Sequence, residues 1–139
     1  MTRLDTQQIE QVGRAVIETR LIHAGWEVAR PACDRGIDVI AYSEQPVFQA
    51  RPIQLKAFTD VGISLESKYQ GRGIYMAYIW RVLDPEPRLF VLPYEAVLDV
   101  VPPSALETVS WTRDGKWYSG APSRAVCDRL GEYEGVALT

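Results

Sequence analysis

The chain has 139 residues, 47% of them hydrophobic, which is enough for one compact domain with a buried core. A formal charge of −3 and a sequence pI near 5.2 do not describe a globally basic nucleic-acid binder, although a local basic rim can coexist with an acidic remainder. There is no apolar run of about 18 residues, and Met1-Thr2-Arg3-Leu4-Asp5 lacks the apolar core of a signal peptide, so a cytoplasmic protein with no membrane partner is expected.

In chain order, Ile9, Val12, Val16, Ile17 and Leu21 recur at helical spacing and predict a helix from about Asp5 to Ala24, capped by Thr6 or Asp5 and stopped by Gly25. Trp26–Arg30 alternates like a strand. After a Pro31–Arg35 turn come strands at Ile37–Tyr42 and Pro52–Ala57, with Pro52 read as a first strand residue. Thr59–Arg72 is polar and weakly patterned, with a short helical turn expected at Ser64–Tyr69. Ile74–Val82 reads as a strand with Arg88–Leu92 as its hairpin partner, and Tyr94–Val101 as a helix ended by Pro102-Pro103. Val109–Thr112 and Lys116–Tyr118 flank Arg113-Asp114-Gly115 as an expected small hairpin, and Ser123–Leu130 reads as a last helix. This order predicts an α/β fold with a mixed central sheet. It would form a single domain, with a core at about 5–101 and a C-terminal extension at about 104–139.

Two short runs carry chemistry. Gly36-Ile37-Asp38 lies on the second expected strand and Ile53-Gln54-Leu55-Lys56 on the third. Strand side chains alternate faces, so Gln54 and Lys56 point one way and Ile53, Leu55 and Ala57 the other. If the two strands are neighbours, Asp38, Gln54 and Lys56 converge. Acid and amide oxygens can hold a hard divalent cation, and a lysine can stabilise an attacking hydroxide or charge building on phosphorus. Taken singly, each residue reads more readily as a turn acid or a solvated strand face; the set and its spacing carry the functional reading.

With Thr6-Gln7-Gln8-Ile9 opening the first helix and Gly25-Trp26 following it, these runs resemble the PD-(D/E)XK nuclease superfamily. Some branches, including those similar to archaeal junction resolvases and modification-dependent restriction enzymes, carry either glutamate or glutamine at the position of Gln54. The resemblance implies a restriction-endonuclease-like αβββ(α)β core, with a small C-terminal hairpin plus helix, and a Mg2+- or Mn2+-dependent DNA endonuclease without an organic cofactor. Asp38 would be the principal metal ligand and Gln54 an oxygen ligand. The Leu55 backbone carbonyl would be a further ligand, and Lys56 the catalytic lysine.

One position departs from that pattern. Where the superfamily usually carries a glutamate after a glycine on the first helix, this chain has Gly13-Arg14, and a guanidinium repels a divalent cation. Glu10 and Glu18 lie one turn to either side. On a helical wheel Glu10 borders the apolar stripe, whereas the tilt of helical side chains toward the N-terminus favours Glu18; Glu10 is preferred. Arg14 also reads as a phosphate clamp. The site is thus either a working nuclease centre or a weakened one on a fold kept for binding or assembly.

Around it, Arg35, Arg51, Lys68, Gln70 and Arg72 are the candidates for contacts to DNA phosphates. Gly71-Arg72-Gly73 is too short for a P-loop, and His23, the one histidine, reads as structural. Cys33 and Cys127 read as reduced thiols rather than zinc ligands. Trp26, Trp80, Trp111 and Trp117 read as core or interface. Within Tyr75–Trp80 both strand faces are apolar, and a homodimer interface is one way to cover the second.

Overall fold

The computed structural model describes residues 3–33 and 35–138; Asp34, in the expected Pro31–Arg35 turn, lies outside them. Helix α1 (Thr6–His23) starts at Asp5, whose side chain accepts from the Gln8 amide at 2.8 Å while Gln8 returns a bond to the Asp5 amide. Two backbone donors at the helix start, those of Asp5 and Gln8, are thereby satisfied. Gly25 ends it with φ +95°, a conformation open to glycine.

Strands β1 (Glu27–Ala29), β2 (Val39–Ser43), β3 (Gln49–Ala57), β5 (Tyr75–Trp80) and β6 (Arg88–Pro93) form one mixed sheet in the order β1-β2-β3-β5-β6. The β3–β5 pair is parallel and the other pairs antiparallel. The crossover joining β3 to β5 contains β4 (Ile63–Glu66) and a 3₁₀ turn, Ser67–Tyr69, where only a helical turn was expected. Strand β3 begins earlier than predicted, and Pro52 sits inside it opposite Ile40. Pairing with β5 starts only at Ile53, so β3 still has an open side at Pro52, where a residue without an N–H is tolerated.

Both sheet faces are covered. Ile17 and Leu21 of α1 are fully buried with Val39, Ala41, Ile53, Ala77 and Ile79. Each of the isoleucine, leucine and valine side chains contributes about 1.5–3 kcal/mol on burial. On the other face Met76, Tyr78 and Trp80 pack with Ile63 and Leu65 of β4, with α2 (Tyr94–Val100) and with Val126 and Leu130 of α4 (Arg124–Gly131). The chain itself thus covers the face for which a dimer interface was considered, and the apolar strand supplies no argument for one.

The expected C-terminal hairpin does not form. Val109–Asp114 is a helix, α3, capped by Thr108, whose hydroxyl accepts from the Trp111 amide, and closed by Gly115 at φ +67°. Asp114-Gly115 therefore serves as a helix C-terminus rather than a hairpin turn. The following strand, β7 (Lys116–Ser119), pairs antiparallel with the distant β4.

Candidate nuclease site

Strands β2 and β3 are neighbours, with Val39 opposite Ile53, so the two motif runs meet. The Asp38 amide donates to the Ile53 carbonyl at 2.9 Å, and the Leu55 amide donates to Asp38 Oδ2 at 2.7 Å. These bonds fix the carboxylate and leave Oδ1 turned toward Arg14, whose Nη2 is 3.8 Å away. Gly36 has φ +86°, and a Cβ there would run into the Tyr69 ring; this glycine lets the chain turn into β2 beneath that tyrosine. Gly13 does similar work on α1. A Cβ at Gly13 would stand 3.0 Å from the Ala57 Cβ and 3.3 Å from Leu55 Cδ2, so its absence seats the helix on β3 and brings Arg14 to the strand ends.

These elements enclose a cleft of about 510 Å³ lined by Glu10, Arg14, Arg35, Asp38, Gln54, Leu55, Lys56 and Lys68, together with Thr6, Ser64 and Tyr69. Four of its side chains are cationic and two are carboxylates, in a chain of net negative charge. Gln54 is the buried polar residue among those described, 7% exposed, and its Oε1 has no hydrogen-bond partner. Arg14 Nε and Ser64 Oγ are likewise buried without partners. An unpaired buried polar atom costs about 1–3 kcal/mol, and three lie on the walls of one cleft.

Other sequence candidates lie elsewhere. Glu18 is held by Arg30 Nε at 2.9 Å and does not line the cleft, because only the N-terminal half of α1 overhangs the motif strands. Arg51 donates to the Ala50 carbonyl and to Gln49 along its own strand, and Gln70 is exposed beyond the 3₁₀ turn. Arg72 stands at the rim, its guanidinium carbon 5.8 Å from the centre of the Tyr69 ring and its Nη2 donating to the Arg35 carbonyl.

Glu66 was missed in the sequence. Its carboxylate lies 3.4 Å from Lys68 Nζ. Burial alone would raise its pKa, but the charges of Lys56 and Lys68, with hydrogen bonds from Lys68 and Tyr69, outweigh burial and hold it below the ordinary carboxylate value. Tyr69 is pushed up, first by burial and then by Glu66. Ser64 and Tyr69 were missed as well. The alternation Ile63-Ser64-Leu65-Glu66 carried the available signal: two buried apolar residues with two polar ones between and after them.

Among the described residues no three His, Cys, Asp or Glu side chains come together as a metal cage. The donors at hand are Asp38 Oδ1 and the orphaned Gln54 Oε1. Hard oxygen donors of this kind suit Mg2+, which is commonly held by one or two protein ligands, several waters and substrate phosphates. The set fits such an ion, with Arg14 as the opposing charge.

No family model matches the chain, and no curated protein does. Among solved structures, the bacterial homing endonuclease I-Ssp6803I is similar with a TM-score of 0.56 and 15% identity, over 69% of this chain and 74% of that one. Hjc, a Holliday junction resolvase from the archaeal hyperthermophile Archaeoglobus fulgidus, is similar with a TM-score of 0.45 and 15% identity, over 62% of this chain and 73% of that one. The chain has the restriction-endonuclease-like α/β fold. No described helix is long and apolar enough to cross a membrane.

Proposed function

We propose that this protein is a divalent-metal-dependent DNA endonuclease. The observation that carries the reading is the meeting of Asp38, Gln54 and Lys56 at one cleft, with the Gln54 oxygen buried and unpaired among a surplus of cations. Asp38 through Oδ1 and Gln54 through Oε1 would hold Mg2+ or Mn2+, with the Leu55 carbonyl as a third candidate. An ion held there would supply Lewis acidity and a bound water more acidic than bulk water. Lys56 donates to a non-bridging phosphoryl oxygen and offsets the charge that builds there. Arg14, Arg35 and Lys68 bind flanking phosphates, which positions a strand without reading its sequence. Glu10, exposed at the cleft mouth, is the helix carboxylate close enough to order water there.

The ion pair between Arg14 and Asp38 favours a second reading, in which the cleft binds DNA without cutting it. The deciding experiment is cleavage of labelled duplex, single-stranded, flap and four-way-junction DNA with Mg2+ and with Mn2+. Wild type and Lys56→Ala are purified identically. Cutting that disappears in the variant supports the nuclease reading. Equal cutting by both preparations, or none by either, overturns it.

A further inference from the structure

We infer that Arg14 is a gate: its guanidinium holds Asp38 against metal until a DNA phosphate draws it away, so that metal and DNA bind cooperatively through this residue. The inference rests on the nuclease reading of the cleft and goes beyond it, since that reading requires only that both ligands bind.

The geometry is that of a side chain between two partners. Arg14 Nη2 is 3.8 Å from Asp38 Oδ1, within ion-pair range but too long for a good hydrogen bond. That oxygen faces the guanidinium, whereas Oδ2 already accepts from the Leu55 amide. The same guanidinium has a buried Nε with no partner, so its donor fork is only partly used while it faces Asp38. A phosphate matches that fork with two parallel bonds, which the carboxylate does not receive here. Gln54 Oε1, also unpaired, is neutral and cannot offset a cation standing beside Asp38.

Without DNA, a divalent ion approaching Asp38 meets a fixed positive charge a few ångströms away and finds one carboxylate and one amide as ligands. With DNA, a flanking phosphate takes Arg14 and removes the opposing charge, while the neighbouring phosphate at the cleft offers oxygens to the ion. Two ligands that each favour the same position of Arg14 must strengthen one another's binding equally. Arg14 does this without touching the reacting atoms and is a positioning residue.

The test counts free Mn2+ by electron paramagnetic resonance, with and without a DNA duplex, in the cold. Wild type, Arg14→Gln, Arg14→Lys and Asp38→Asn are compared, each confirmed folded by circular dichroism. Arg14→Gln is expected to bind Mn2+ roughly tenfold more tightly than wild type when DNA is absent, and to show a smaller gain when duplex is added. Arg14→Lys, which keeps the charge, should resemble wild type in the DNA-free arm. If wild type and Arg14→Gln bind Mn2+ equally without DNA, or gain equally from it, the gate is wrong while the nuclease reading stands. If Asp38→Asn binds Mn2+ as wild type does with duplex present, the metal assignment itself fails and the gate falls with it.

Discussion

The Leu55 amide donates to Asp38 Oδ2 at 2.7 Å, so the acid on one motif strand is held by the backbone of the other. One bond thereby locks the strand register and the aim of the free oxygen. Asp38→Asn keeps an oxygen to accept from Leu55 and loses the charge. The variant should melt near wild type yet lose DNA cutting by at least roughly 100-fold, the upper end of what removing a supporting partner of a metal ligand does. Asp38→Ala should in addition lose about 1–3 kcal/mol, because the Leu55 amide is left without a partner. Melting curves beside cleavage assays separate the two effects. Full activity in Asp38→Asn would remove this acid from the chemistry.

Gly13 is expected to resist substitution even though glycine is a poor helix former. Alanine would gain up to about 1 kcal/mol of helix propensity. The added Cβ would sit 3.0 Å from the Ala57 Cβ, an atom fixed to the β3 backbone that cannot swing aside, so the helix must lift. Valine adds more bulk at the same contact. Gly13→Val should be destabilised by about 1–3 kcal/mol on denaturant unfolding. It should also lose DNA affinity, since Arg14 rides on the displaced turn. A variant as stable as wild type would show that the helix seat is looser than the geometry says.

The motif strands were legible because their information is local. Ile37-Asp38-Val39 and Ile53-Gln54-Leu55-Lys56 alternate within themselves, and the pairing of β2 with β3 joins consecutive strands. The covering of the second face was not, because it depends on β4 and β7, which are about fifty residues apart in the chain and whose short runs announce no partner. Asp114-Gly115 misled for a different reason. A glycine with positive φ after a short run suits a hairpin turn and a helix C-terminus equally, and the Thr108 cap that decides between them precedes the run. The choice between Glu10 and Glu18 turned on where α1 sits along β3. Gly13 sets that seat, and only the packed structure shows it.

Acid sensitivity should trace in part to Glu66. Its carboxyl is held below the ordinary value of 4.5; burial opposes this, and the charges of Lys56 and Lys68 overcome it. A depressed folded value means that the stabilisation is complete above about pH 4.5 and is lost as pH falls through the folded value. Glu134 carries the same sign, its carboxyl lowered chiefly by hydrogen bonds from Arg88, but that pair is nearly half exposed and screened by solvent. Glu66→Gln should flatten the fall of melting temperature between about pH 5 and pH 3, and Glu134→Gln should change it less. A Glu66→Gln curve parallel to wild type would show that the carboxylate adds nothing to the fold.

The wall of the cleft carrying Ser64 depends on buried aromatic donors. Trp80 Nε1 donates to the Gly62 carbonyl at 2.7 Å, Tyr78 Oη to the Ser64 carbonyl at 2.6 Å and Tyr94 Oη to the Glu66 carbonyl at 2.9 Å, so alternate carbonyls from Gly62 to Glu66 are fastened to β5 and to the start of α2. Burial, then Glu95 and Glu66, push the Tyr94 phenol up to about 12, which keeps it a neutral donor through physiological pH. Tyr94→Phe leaves the Glu66 carbonyl without that donor and should destabilise by about 1–3 kcal/mol, with Tyr78→Phe similar. The loss should be local. Amide exchange is expected to speed in β4 and β7 while β3 and β5, interior strands of the five-stranded sheet, keep their protection. Because β4 also places Ser64 and leads into Lys68, Tyr94→Phe should weaken DNA binding more than it slows cutting at saturating DNA. Uniform loss of protection across both sheets would instead make β4 part of a single cooperative unit with the main sheet.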